Sequence, residues 1–333
     1  MGYGVATGMG SIAGQILGGW FVHADLAGLG WRAIFLINVP IAALTFVAAL
    51  LAVPQSRRAN APSIDAQGAI GIAVSLALLL LPFVLGRQHG WPAWMWIGPV
   101  IGVLLLWLVI RMEDRLGERG GDPVLDTKLI TVPSLARGTI ASVFFMAFFA
   151  SFMFRLTILL QQGEHVEPLH AGLVFAPSGV TFALSSLLMR GWVAQNRQRA
   201  IRTGAMITIL GLIIAALGLT IDGLSTVGLI IIAVCLTGFG NGLVLPTLIG
   251  VALSDVPPMK AGVGSGIMTA SQQFAASAGV ALLGTLYFSQ AASIGHQYAM
   301  ALTFIIDIAL LIGVILIAGL PSRSARKKAA TAA

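Results

Sequence analysis

Charge is what this sequence has least of. Asp, Glu, Lys and Arg make up 9% of its 333 residues, whereas a soluble domain carries about 25%. So little charge cannot coat a water-facing surface. One large soluble core is excluded as well, because cores stop growing near ~250–300 residues. Cysteine is represented once, by Cys235. That rules out an intramolecular disulfide framework and a thiolate metal cluster, and in its apolar run the residue reads as a small buried hydrophobe. No acid and base residues stand at a catalytic spacing, so the chain is not read as an enzyme. The net charge of +7 would suggest nucleic acid if it lay on one folded face. It lies instead in short loops between apolar runs, so neither a nucleic-acid partner nor a cofactor or metal is assigned.

What is abundant points to lipid as the solvent. Hydrophobic residues reach 57%, and there are 40 glycines, a residue more frequent in membrane helices than in soluble ones. Crossing ~30 Å of hydrocarbon takes about 20 apolar residues. Ten such runs lie near 3–22, 33–53, 66–86, 93–111, 138–160, 169–189, 201–221, 226–252, 262–288 and 299–320. The expected fold is all-α and polytopic. Its longest loop, from Arg111 to Arg137, carries Arg111, Glu113, Asp114 and Arg115 and then Gly120-Gly121-Asp122-Pro123, and reads as a linker between bundles.

The basic residues set the expected orientation. With a cytoplasmic N-terminus, sixteen of the nineteen Lys and Arg fall in inner segments, among them Arg57, Arg58, Arg111, Arg137, Arg197, Lys260 and Arg323. Only Arg32 and Arg87 fall outside, and Arg155 lies within a span. The excess of cytoplasmic positive charge predicts a multi-pass protein of the plasma or inner membrane with both termini cytoplasmic.

Several polar and small residues sit inside these runs. Gly10, Gly14 and Gly18, with Gly19 adjacent, put hydrogens along one helix stripe, so a second backbone can come close. Ser271, Ala275 and Gly279 repeat the device. Asp307 lies eight residues inside the last run, about 12 Å deep at 1.5 Å per residue. Placing such a group there costs ~2.5–3.5 kcal/mol on insertion scales, which makes it either a proton or cation-substrate site or a hydrogen-bonded structural partner. Arg155 is nearer an outer end, where its long stem can snorkel. Asn241, Gln272 and Gln273 fall near mid-membrane and either line a substrate path or bond between helices. Two other patterns carry no function. Gly8-x-Gly10-x-x-Ala13 matches a dinucleotide fingerprint by letter but follows no strand. Glu164, His165, Glu167 and His170 resemble metal ligands but read as a solvated outer loop.

Longer motifs bring a family into view. Gly30-Trp31-Arg32-Ala33-Ile34-Phe35-Leu36-Ile37-Asn38-Val39-Pro40 resembles the opening of the sixth helix of the fourteen-helix drug:proton antiporters, a branch of the major facilitator superfamily. Just before it, Gly10-x-x-x-Gly14-Gln15-x-x-Gly18-Gly19 is similar to that family's antiporter signature, with Gln15 where the family carries proline. Downstream, Pro123–Leu129, Leu160-Gln161-Gln162, His170–Leu173 with Pro177, Ala261–Gly266, Gln272-Gln273 and Gly279-Val280-Ala281 resemble family segments in the family's order.

The resemblance implies residues 1–55 as the last two helices of an N-terminal bundle. It implies 56–122 as a two-helix insertion and cytoplasmic linker, 123–322 as a C-terminal six-helix bundle, and 323–333 as a basic tail. Four further helices precede these in the family, so the expectation is an N-terminally truncated chain whose missing half is a possible partner. The implied activity is proton-coupled export of drugs or other amphipathic small molecules across the bilayer. The alternative is a non-transporting membrane remnant, or a partner subunit of an exporter.

Overall fold

In a computed structural model the described residues of the chain are almost all helical, with no strand among them. Those residues are 28–52, 65–90, 92–121, 123–221 and 226–318, together with Gly10, Ala13, Gly14, 17–21 and 24–25. Most of the expected first span, Gln15 of the signature, Arg57 and Arg58, and the basic tail lie outside them. Among the described residues, nine helical stretches are long and apolar enough to cross a membrane.

We label the helices α1 Asn38–Ala52, α2 Ala66–His89, α3 Ile97–Glu118, α4 Pro133–Ile158, α5 Pro168–Leu188, α6 Arg197–Thr220, α7 Thr226–Ala252, α8 Ala261–Ile294 and α9 His296–Ala318. Their limits follow local chemistry. The Asp65 carboxylate accepts the Gly68 N–H at 2.9 Å and caps α2. Pro133 opens α4 at a position where its missing N–H costs nothing. Gly295, at φ +85°, separates α8 from α9 with a backbone that a side chain would strain. The expected spans correspond to these helices, but several helices run past their apolar stretch. α9 begins at His296 and not near 299, because hydropathy marks the lipid-exposed part of a helix and not its ends.

Helices α4 to α9 pack into one six-helix bundle, with α4 touching α7, α8 and α9, while α6 pairs with α7 and α9. The α2–α3 hairpin rests on the bundle through α8. Aromatic side chains fill the centre: Phe148 stacks on Phe152 at 5.8 Å, and Phe152 meets Phe304 of α9 at 6.1 Å. At the α6–α7 crossing a Cβ on Gly204 would stand 2.6 Å from the Gly240 carbonyl oxygen, so the two backbones touch because neither residue has a side chain. Gly279 of the second small-residue stripe lies in the same way against the Ala147 backbone. Nothing on α1 is buried.

Candidate functional site

Arg155 stands three residues before the end of α4. Its guanidinium does not snorkel outward, as a residue near a helix end can. It turns back along the helix, the direction in which helical side chains lean. Nε donates to the Ser151 carbonyl at 3.1 Å and Nη2 to the Ser151 hydroxyl at 3.2 Å. That geometry delivers Nη2 to Asp307 of α9, with Oδ1 at 2.7 Å and Oδ2 at 2.8 Å. Both side chains are 0% exposed. Asp307 is eleven residues into α9, about 16 Å along the axis, and thus deeper than its apolar run suggested.

This pair has chemical capacity left over. Arg155 Nη1 is buried and has no hydrogen-bond partner among the described residues. In a low-dielectric interior each ion depends on the other, and a missing partner leaves a costly charge. A proton delivered to Asp307 would cancel the attraction and free a second guanidinium nitrogen.

Tyr287 and His296 carry the next polar contact, which the sequence reading missed. The Tyr287 hydroxyl, on a fully buried ring of α8, lies 2.8 Å from Nδ1 of His296 at the start of α9. The available signal was one tyrosine inside an apolar run, since a buried phenol normally finds a partner. Beside it, Gln297 donates to Glu164 at 2.7 Å, and a Cβ on Gly163 would meet His296 Cβ at 2.9 Å. These contacts tie α9 to the π-helical turn Leu159–Gly163 that follows α4. The remaining loop residues of the metal-like pattern form no more than an exposed Glu167–His170 contact at 3.6 Å.

The other expected residues are not gathered here. Asn241 is buried between α7 and α6, where its Oδ1 accepts from Thr208 at 3.3 Å and its Nδ2 has no partner. Gln272 buries an unpartnered Nε2, whereas Gln273 is exposed. Of the glycine stripe, Gly19 alone makes a close approach among the described residues, its would-be Cβ lying 2.8 Å from the Pro168 carbonyl oxygen. Gly10, Gly14 and Gly18 have no such neighbour. Gly14 and Gly18 line a cavity of about 240 Å³ against Thr157, Gln161 and Phe175.

Membrane-length helices around a desolvated ion pair define a polytopic protein with an ionisable centre at membrane depth. A model of the Major Facilitator Superfamily matches residues 66–280, and the chain belongs to that family. It is similar to the probable actinorhodin transporter of Streptomyces coelicolor, 33% identical over 290 residues, 86% of this chain and 50% of that protein. The cephamycin export protein CmcT of Amycolatopsis lactamdurans is 30% identical over 286 residues, 84% of this chain and 56% of that protein. The multidrug resistance protein Stp of Mycobacterium tuberculosis is 30% identical over 289 residues, 84% of this chain and 50% of that protein. The chain thus spans about half the length of the curated relatives it matches. Their names describe transport, export or resistance, and none describes an enzyme.

Proposed function

We propose that the chain works in a secondary active exporter of the fourteen-helix drug:proton antiporter branch. Its substrates are drugs or other amphipathic small molecules, exchanged for protons across the plasma or inner membrane. Alternating access pairs two bundles about a shared site, and α4–α9 supplies one of them. The carrying observation is the Arg155–Asp307 pair, fully buried and 2.7 Å apart at membrane depth. Asp307 takes up the coupling proton, and Arg155 is the cation that it releases. The relative named as a cephamycin export protein supports the direction of transport. The basic-residue distribution supports cytoplasmic termini.

The test is flux in proteoliposomes that hold the chain together with the N-terminal bundle of a relative, under an imposed pH gradient and read with a fluorescent cationic dye. Gradient-driven dye movement should occur with the unaltered protein and be lost in Asp307→Asn at equal insertion. Equal gradient-driven flux in Asp307→Asn removes Asp307 from coupling. Absence of flux in either gradient direction overturns the transport reading.

A further inference from the structure

Helices α4 and α6 begin, and α7 and α9 end, at the same end of the bundle, around a cavity of about 710 Å³. Its walls differ in character. One is built from the first turns of α4 and α6, which contribute Ser134, Arg137, Arg197 and Arg199. The facing wall, from the last turns of α7 and α9, is apolar, with Leu248, Val251 and Ile317. No described residue lining the cavity is acidic. Among the described residues, no carboxylate lies within ion-pairing distance of Arg197 or Arg199.

Both helix starts are left open. Val132, which precedes α4, has no side-chain acceptor to offer. Asn196, which precedes α6, gives no cap either, and its side-chain amide donates to the Trp192 carbonyl at 3.2 Å. The first-turn N–H groups of two long helices thus lack side-chain caps, and the positive ends of two helix dipoles meet at one cavity. An independent observation points the same way. Ser134 lines the cavity, is 7% exposed, and its hydroxyl has no hydrogen-bond partner among the described residues.

We propose that this cavity binds a phosphate group. The guanidinium groups of Arg197 and Arg199, two uncapped helix starts and a spare hydroxyl exceed what one carboxylate can accept. A phosphate presents several charged oxygens at once and is the anion that arginine forks and helix starts bind in common. The phosphate belongs to a lipid headgroup or to a free phosphate anion. The apolar wall beside the arginines suits the glycerol and upper acyl chain of a lipid, as in basic pockets between membrane helices. The site is separate from the Arg155–Asp307 pair, so this proposal stands independently of proton coupling.

The experiment uses the whole chain in nanodiscs of phosphatidylcholine and phosphatidylglycerol, with the lipid retained on the released protein counted by native mass spectrometry. In parallel, thermal unfolding in detergent is followed with inorganic phosphate against chloride at matched ionic strength. Losing a charge-assisted contact corresponds to about tenfold in occupancy. Arg197→Gln with Arg199→Gln should therefore lower phosphatidylglycerol retention about tenfold. Arg197→Lys with Arg199→Lys should keep most of it, and Arg190→Gln, outside the cavity, should change nothing. Ser134→Ala should give a smaller loss. Arginine-dependent lipid retention identifies a lipid phosphate; an arginine-dependent shift with inorganic phosphate alone identifies a free one. If neither readout depends on Arg197 and Arg199, the proposal is wrong.

Discussion

Arg155 and Asp307 are 152 positions apart, yet one guanidinium nitrogen contacts both carboxylate oxygens at 2.7 and 2.8 Å in the interior of the bundle. The contact joins the first and last helices of the six, α4 and α9. Ser151 holds the guanidinium from the α4 side, and its own hydroxyl bonds back to the Ala147 carbonyl at 2.6 Å. A pair buried in this way is weak evidence for stability, because desolvation offsets much of the attraction. On the proposed function, its value lies in having two states, with and without a proton on Asp307.

The first prediction separates the two roles of the pair. Asp307→Asn removes one charge and leaves Arg155 buried without a counter-ion, which costs about 3–5 kcal/mol in soluble proteins. Adding Arg155→Gln should recover most of that loss in thermal unfolding while leaving proton-driven flux absent. Flux restored together with stability in the double variant would make the pair structural only. A single variant as stable as the unaltered protein would show that Arg155 has found another anion.

Each partner of this pair was legible in the sequence as a charged residue inside an apolar run. Their meeting was not, because no local periodicity links positions on the first and last helices of a bundle. The inward turn of Arg155 was hidden too: proximity to a helix end suggested snorkelling, whereas the Ser151 acceptors and Asp307 lie in the other direction. Nine helical spans were readable from apolar length alone. Tyr287 and His296 escaped because neither is unusual by itself. The basic cavity was scattered over two loops, with Arg137 in one and Arg197 and Arg199 in another, and only the shared end of α4 and α6 brings them together.

A second prediction concerns the α6–α7 crossing. In Gly204→Val the new Cβ would meet the Gly240 carbonyl oxygen at 2.6 Å, and backbone cannot rotate away. The helices must separate, at a cost of about 1–3 kcal/mol. Gly266→Ala on α8, where nothing lies within 4 Å, should stabilise by at most about 1 kcal/mol through helix propensity. Thermal unfolding of the two variants side by side is the measurement, and equal stability would mean that the crossing is looser than described.

Asp65 provides a prediction in pH. The protonated Glu113 carboxyl, which donates to Asp65, and then the Gly68 N–H hold the Asp65 carboxyl below the ordinary carboxylate range. A group depressed on folding stabilises the fold above its unfolded value of about 3.9 and loses that contribution as pH falls through the folded value. Asp65→Asn keeps an N-cap of similar quality but carries no charge to titrate. The difference in melting temperature between the unaltered protein and Asp65→Asn should narrow below about pH 4, where Asp65 itself takes up a proton. A difference that widens below about pH 4 would reverse the assignment.

The last prediction fixes the side on which the basic cavity lies. Glu118, at the end of α3, and Glu167, just before α5, are both exposed. Basic residues direct topology and acidic ones contribute little, so replacing either glutamate by cysteine leaves the determinant intact. In a Cys235→Ser background each variant then carries one thiol. A membrane-impermeant maleimide applied to intact cells should label Glu167→Cys and spare Glu118→Cys until the membrane is opened. That result puts Arg137, Arg197 and Arg199 at the cytoplasmic leaflet, where anionic lipid is the expected phosphate donor. Labelling of Glu118→Cys alone would turn the bundle over, place the cavity on the outer face, and contradict the orientation read from the basic residues.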